Sequence, residues 1–139
     1  MDTQVAELLG GEGVLGTSVK SNLDLARATR EGLPTEAAIQ LVALILDYVP
    51  EGPLGPLMPY TDRGAEARLS LEQSDLVVRI AGAVARAIDV LGDRKKAVRW
   101  LTTSNRALGG EIPITLLDTS AGAHEVETVL DRIEYGVYS

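Results

Sequence analysis

Apolar positions recur with helical spacing in several stretches of the chain, and glycine or proline separates these stretches. The longest stretch begins after Ser70, where Gln73 completes a capping-box pattern, and it ends at Gly92. Its apolar face consists of Val77, Ile80, Ala81, Val84, Ile88 and Leu91. No alternating segment has the turn residues of a hairpin, so the pattern predicts an all-α fold.

Shorter helices are predicted on both sides of this long one. Ser21 and Gly32 mark the ends of one helix, and Pro34 begins the next. Asp93 is the predicted N-cap of a short helix, and Gly136 ends the last helix. The last helix has its apolar stripe at Val126, Val129, Leu130 and Ile133. Another short helix of one or two turns is expected to start at Pro113.

Two segments rich in proline or glycine are predicted to be loops. Pro50, Pro53, Pro56 and Pro59 recur every third residue, which excludes a regular helix up to Pro59 and favours an extended linker or loop. A proline-rich ligand for a partner's aromatic groove is the alternative. Gly11, Gly13 and Gly16 fit the spacing G-x-G-x-x-G, but no strand precedes them, so we expect a flexible loop without a cofactor.

Composition restricts the class of protein. The 139 residues are 45% hydrophobic with no Phe and no Cys, which excludes disulfides and cysteine metal sites. The net charge of −7 argues against bulk electrostatic binding of nucleic acid, so any DNA contact would have to be local. The sequence has neither a membrane-spanning stretch nor a basic, signal-like start, and we expect a cytoplasmic protein.

No group of residues forms a convincing catalytic or metal site. His124 is the sole histidine and is expected on a polar helix face, while Ser104 and Asp118 complete a triad with it only if geometry is ignored. The basic run 94–96 is expected to face solvent, with phosphate binding at a helix N-terminus as the alternative. We therefore predict no enzyme activity, no cofactor and no metal. Trp100 is either a core anchor or an interface residue.

The second half of the chain resembles the toxin-binding domain of the Xre/MbcA/ParS antitoxin family. The resemblance is carried by "LSLEQSD", by "LGD", by "A..WL", by "N.ALGG..P..LLDT..G" and by "VE..L.RIEYG", followed by an aromatic tail. These motifs occur in order from Leu69 to the end of the chain. The first half resembles the same proteins more loosely, through "ELLGG" and "S..DL......GLP..A...L".

The resemblance implies a type II antitoxin that blocks the active-site entrance of a RES-domain, NAD-consuming toxin with its last helix and tail. It also implies a homodimer within a hetero-oligomeric complex. The residues expected to contact the toxin are Arg132, Glu134, Tyr135, Val137 and Tyr138, with Leu108, Gly109, Gly110 and Glu111 as additions to the same surface.

The resemblance further divides the chain into an N-terminal region of residues 1–69 and a toxin-binding domain of residues 70–139. The N-terminal region is expected to be a degenerate Xre-like, helix-turn-helix-type region that dimerises. Where the family has a basic recognition helix, this chain offers only Arg63 and Arg68, so operator binding is doubtful. The alternative function is a transcriptional repressor that autoregulates its operon through DNA.

Overall fold

The structure is a computed structural model, which describes residues 2–61 and 68–136. The regular secondary structure of these residues consists of helices without a β-strand, which confirms the all-α prediction. Seven α-helices occur in the described ranges: α1 (Asp2–Leu8), α2 (Gly11–Leu15), α3 (Asn22–Glu31), α4 (Thr35–Tyr48), α5 (Leu71–Leu91), α6 (Arg94–Leu101) and α7 (Ser120–Glu134). Three 3₁₀ segments lie at Gly55–Thr61, Arg106–Leu108 and Pro113–Leu116.

Helix α5 is the centre of the packing, and α1, α3, α4, α6 and α7 all contact it. Its apolar face is buried from Val77 to Val84, while Ile88 and Leu91 are half-buried. The surrounding elements each add leucine, isoleucine or valine side chains to one continuous core. The largest fully buried side chains are Leu9, Leu33, Leu41, Ile45, Leu57, Ile80, Leu101, Ile114, Leu117, Leu130, Val77 and Val84. None of the described helices is long and apolar enough to cross a membrane.

The predicted helix ends are largely confirmed. Ser70 Oγ accepts from Gln73 N at 3.0 Å while Gln73 Oε1 accepts from Ser70 N at 2.8 Å, which completes the capping box. Asp93 caps α6 as predicted, and Gly92 ends α5 with φ of 104°. The left-handed conformation at Gly92 is one that glycine adopts without strain.

The two segments predicted to be loops are more ordered than expected. Gly11 and Gly13 lie inside the short helix α2, so the prediction of a flexible loop is wrong there. The proline segment is not an extended linker either, because Gly55–Thr61 is a 3₁₀ helix and Leu54 and Leu57 are buried. Burial of two leucines offsets the loss of hydrogen-bond donors at the prolines.

The two halves of the chain are joined by buried backbone contacts at the start of α5. Ser74, which is fully buried on α5, accepts a hydrogen bond from Leu33 N at 2.8 Å. Leu69 N donates to Leu33 O, also at 2.8 Å. Residues from both sides of position 69 belong to the same core. The division into domains at residues 69 and 70 stays a prediction.

Candidate functional site

The segment before α7 is shaped by two short turns that bring the helix close to α5. Asn105 is buried, and its Oδ1 accepts from Ala107 N at 2.9 Å. Asn105 O accepts from Gly110 N at 2.9 Å, and Asn105 N donates to Glu111 O at 3.0 Å. This closed turn leaves Leu108 half-buried and Gly109, Gly110 and Glu111 exposed. The 3₁₀ segment Arg106–Leu108 contacts α7, so the predicted additional contact residues lie beside that helix.

The first turn of α7 packs directly against the preceding backbone. Thr119 Oγ1 caps the helix by accepting from Gly122 N at 3.0 Å. A Cβ atom added to Gly122 would lie 1.9 Å from Leu116 O and 2.8 Å from Leu116 C. Only a residue without a side chain allows this approach, and this explains the physical need for glycine at the end of the motif.

Two arginines of α5 bind the two ends of the α7 region. Arg79 Nη1 donates to Leu117 O at 3.1 Å, just before α7 begins, and Nη2 donates to Asp75 at 2.9 Å. Arg86 lies two helical turns further along α5, on the same side, and contacts the second half of α7. Helix α7 therefore runs in the same direction as α5.

Arg86 is shared by three carboxylates on one face of α7. Its Nη2 lies 2.6 Å from Glu134 Oε1 and 2.8 Å from Asp131 Oδ1, and its Nε lies 3.5 Å from Glu127 Oε1. A second bond joins Nη1 to Glu134 Oε2 at 3.2 Å, so the pair with Glu134 is bidentate. The Arg86 side chain is only 15% exposed. The last turn of α7 is thereby fixed to α5.

These contacts shift the protonation equilibria of both partners. Hydrogen bonds that Arg86 donates to Glu134 and Asp131 raise the pKa of Arg86 above its ordinary value, so it remains a cation. Hydrogen bonding to Arg86 lowers the pKa of Glu134 below its usual range. Both groups are therefore charged at neutral pH.

Beyond this ion-pair cluster the chain presents an exposed aromatic ring. Tyr135 is 74% exposed although its backbone N still donates to Asp131 O at 3.0 Å. Gly136 follows with φ of 72°, which ends the helix as predicted. Arg132 is also exposed. The predicted contact residues Val137 and Tyr138 lie outside the described residues.

The structure thus brings Arg132, Glu134 and Tyr135 together at the end of α7. Glu134 is paired with Arg86 of the same chain, a contact that the sequence did not predict. The spacing of Glu127, Asp131 and Glu134 places them on one helix face, but their partner Arg86 lies more than forty residues away in sequence. The spacing of the carboxylates predicts the acidic helix face, but it does not predict that Arg86 is the cation that pairs with them.

Arg68, one of the two residues predicted to contact DNA, is engaged within the chain. Arg68 is an exposed residue whose Nη1 donates to Gly32 O in a part-buried hydrogen bond, so this guanidinium helps to close the junction between α3 and α5. Arg63 lies outside the described residues. His124 is exposed, and the described ranges contain no group of side chains that could hold a metal ion.

Trp100 has features of both roles considered for it. Its indole is half-buried and packs against the core. It also lines an open depression, together with polar and basic residues that follow α6. The predicted basic run is exposed at each of its three positions, as expected.

Comparison with known proteins identifies the region that contains α6, α7 and the cluster around Arg86. Residues 86–136 match the family model described as the antitoxin Xre/MbcA/ParS C-terminal toxin-binding domain. The C-terminal part of the chain is therefore similar to the toxin-binding domain of this antitoxin family. The Xre/MbcA/ParS match is to an antitoxin domain and not to an enzyme, as the sequence predicted.

Curated relatives of the Xre/MbcA/ParS region carry the same description. An Antitoxin Xre from Yersinia enterocolitica is 36% identical over 78 residues, which are 55% of this chain and 53% of that protein. An Antitoxin Xre from Photorhabdus laumondii is 32% identical over 75 residues, 53% of this chain and 51% of that protein. A third, from Pseudomonas putida, is 35% identical over 49% of this chain and 43% of that protein. The chain spans about half the length of the curated relatives it matches.

Proposed function

We propose that this protein is an antitoxin that neutralises a RES-domain, NAD-consuming toxin by binding it through the C-terminal domain. In this proposal the end of α7 and the tail cover the entrance to the toxin's active site. The observation that carries it is the exposed ring of Tyr135 directly after a helix whose last turn is fixed by Arg86. An aromatic side chain on a fixed support binds with little loss of conformational entropy.

The ion-pair cluster gives the candidate contact residues different roles in this proposal. Arg132 and Tyr135 are exposed and free to contact a toxin directly. Glu134 is paired with Arg86, so it acts by holding the end of α7 in place. Val137 and Tyr138 extend the contact beyond Gly136, and the turn from Leu108 to Glu111 contributes to its edge.

Residues 1–69 serve, in the same proposal, as the dimerisation region, so that the toxin is held in a hetero-oligomeric complex. No observation on the described residues favours the alternative of a repressor that binds operator DNA. Arg68, one of its two candidate contacts, is engaged with Gly32.

The test is to co-express the chain with the protein encoded by the neighbouring gene and to measure co-purification and NAD consumption. We expect a complex in which NAD consumption is silenced. Deletion of residues 135–139 should leave the melting transition unchanged and restore NAD consumption, since these residues follow the apolar stripe of α7. Full inhibition by the truncated chain would contradict the proposed role of the tail.

A matched pair of single substitutions makes the test more specific. Tyr135 and Leu71 are both large exposed apolar residues, at 74% and 55% exposure. Tyr135→Ala should weaken toxin binding by about tenfold or more, the effect of removing a central aromatic contact. Leu71→Ala, on the first turn of α5, should leave it unchanged. Equal effects of the two substitutions would exclude a specific contact at Tyr135.

A further inference from the structure

Basic side chains are concentrated on α6 and in the turn that follows it. Five of the chain's 13 lysines and arginines lie between residues 94 and 106, in a protein of net charge −7. Lys95, Lys96, Arg99 and Arg106 are exposed. Within residues 2–61 and 68–136, none of these four cations pairs with a carboxylate. We call Lys95, Lys96, Arg99, Trp100 and Arg106 the α6 face.

Three residues of the α6 face, Arg99, Trp100 and Arg106, line an open depression of about 470 Å³. Its lining consists of Arg99, Trp100, Thr103, Ser104, Asn105 and Arg106. The indole of Trp100 packs against the core on one side, which fixes its orientation, and lines the depression on another. Two guanidinium groups and two hydroxyl-bearing side chains therefore lie around an accessible aromatic ring.

Helical spacing places the two lysines beside this depression. Lys95 precedes Arg99 by four residues, and Lys96 precedes Trp100 by four, so each pair lies on the same side of α6. Arg94 is different, because it lines a separate depression that also contains Glu7 and Asp47. Lys95 and Lys96 therefore extend the side of α6 that carries Arg99 and Trp100, and no acidic side chain lines the depression.

We infer that the α6 face binds single-stranded nucleic acid. Phosphate groups carry the charge that four unpaired cations complement, and serine and threonine hydroxyls commonly contact phosphate and sugar. Trp100 offers a surface on which an unpaired base can stack, as aromatic residues do in proteins that bind single strands. Bases of a duplex are already stacked, and a peptide of acidic residues alone, such as polyglutamate, has no ring to stack on the indole.

The acidity of the whole chain limits the strength of this interaction but does not prevent it. At physiological ionic strength the Debye length is about 8 Å, so distant carboxylates are largely screened from a strand lying on the α6 face. Four contacts to phosphate predict a slope of log K against log salt of about −2.8 at most. Binding should therefore be salt-sensitive and easiest to detect at roughly 50 mM salt or below.

The experiment uses the full chain with a twelve-residue oligothymidylate, and it does not depend on the proposed antitoxin function. Trp100 is the only tryptophan, so its fluorescence reports binding at the α6 face. We expect saturable quenching that weakens as salt is added. With a labelled oligonucleotide and anisotropy, Trp100→Leu should bind about tenfold more weakly, in line with the loss of one stacked base.

Charge-matched double variants separate a local site from a general effect of charge. Arg99→Glu with Arg106→Glu should weaken binding by at least about tenfold. Lys20→Glu with Arg30→Glu makes the same change in net charge at exposed positions on and just before α3, and should have little effect. Circular dichroism of each variant checks that it is folded.

Three results would overturn the inference. The first is no quenching of Trp100 at low salt, and the second is an equal loss of binding in the two charge-matched variants. The third is binding of polyglutamate or of a DNA duplex as tightly as the single strand, which would reassign the α6 face to an acidic protein or to duplex phosphates.

Discussion

The close approach of Gly122 to the preceding backbone gives the most direct test of how α7 is held. A Cβ atom at this position would lie 1.9 Å from Leu116 O, whereas real Cβ atoms essentially never approach closer than 3.0 Å. Because the obstructing atom belongs to the backbone, no rotation of a side chain relieves the clash. The first turn of α7 in Gly122→Ala must move by at least about 1 Å, which also disturbs the hydrogen bond from Gly122 N to Thr119.

The chain supplies a matched control for this substitution. Gly82 lies in the middle of α5, and a Cβ atom added there would meet nothing within 4 Å. Gly82→Ala should stabilise the protein by about 0.5–1 kcal/mol, since alanine loses less backbone entropy in a helix. The same gain in helix propensity is available at Gly122, but overpacking should cost about 1–3 kcal/mol or more and reverse the sign.

The assay is urea denaturation followed by circular dichroism for the wild type and the two variants. We expect opposite shifts of the midpoint, and thermal transitions that differ by roughly 3–5 °C for each kcal/mol in a chain of this size. A Gly122→Ala protein as stable as Gly82→Ala would refute the reasoning, because it would mean that α7 does not pack against Leu116 as the structure shows.

The remaining predictions concern the junction, the ion-pair cluster and the core. Ser74→Ala leaves the buried Leu33 N without its acceptor and should cost about 1–3 kcal/mol in urea unfolding, while the exposed Ser104→Ala should change stability by less than about 0.5. Arg86→Met should lower the melting temperature at pH 7 and much less at pH 3. The pKa of Glu134 is lower in the folded chain than in the unfolded chain. The pair therefore stabilises the fold at pH values above the pKa of Glu134 in the unfolded chain, and this stabilisation is lost as the pH falls through the pKa in the folded chain. An equal loss at both pH values would assign the effect to packing of the arginine stem. Leu130→Ala, at a fully buried position of α7, should cost about 2–5 kcal/mol, and a smaller loss would show that the neighbouring side chains close the cavity.

Local signals were sufficient to predict α3 to α7 because adjacent residues mark the ends of these helices, whereas α1 and α2 were not predicted. The capping box at Ser70 and the stop at Gly92 each depend on contacts within one helical turn. At Ser21 only half of a capping box forms: Ser21 Oγ accepts from Asp24 N, but the Asp24 carboxylate accepts from Lys20 N instead of Ser21 N. The local motif therefore does not determine which of two neighbouring backbone N–H groups donates to Asp24; the backbone conformation before the helix determines it.

Burial of the proline segment could not be read from its own residues. Proline spacing correctly excludes an α-helix, but a 3₁₀ turn needs only local i to i+3 bonds, such as Leu57 N to Leu54 O at 3.0 Å. Whether the leucines of this segment face solvent or core depends on α4 and the Pro113–Leu116 segment, which both contact it. The proline spacing therefore predicted that this segment has no α-helix, but it did not predict that Leu54 and Leu57 are buried in the core.

The candidate site shows the same limit more clearly. Sequence motifs located the end of α7, yet the orientation of that end depends on Arg86, on Arg79 and on the absence of a side chain at Gly122. The three contacts act along the whole helix: one before its first residue, one in its first turn and one in its second half. A helix restrained at both ends cannot pivot, so Tyr135 leaves the domain in a fixed direction. The ordered series of glycines and short turns before α7 thus has a physical effect, which is to fix the position of the exposed Tyr135 at the end of the helix.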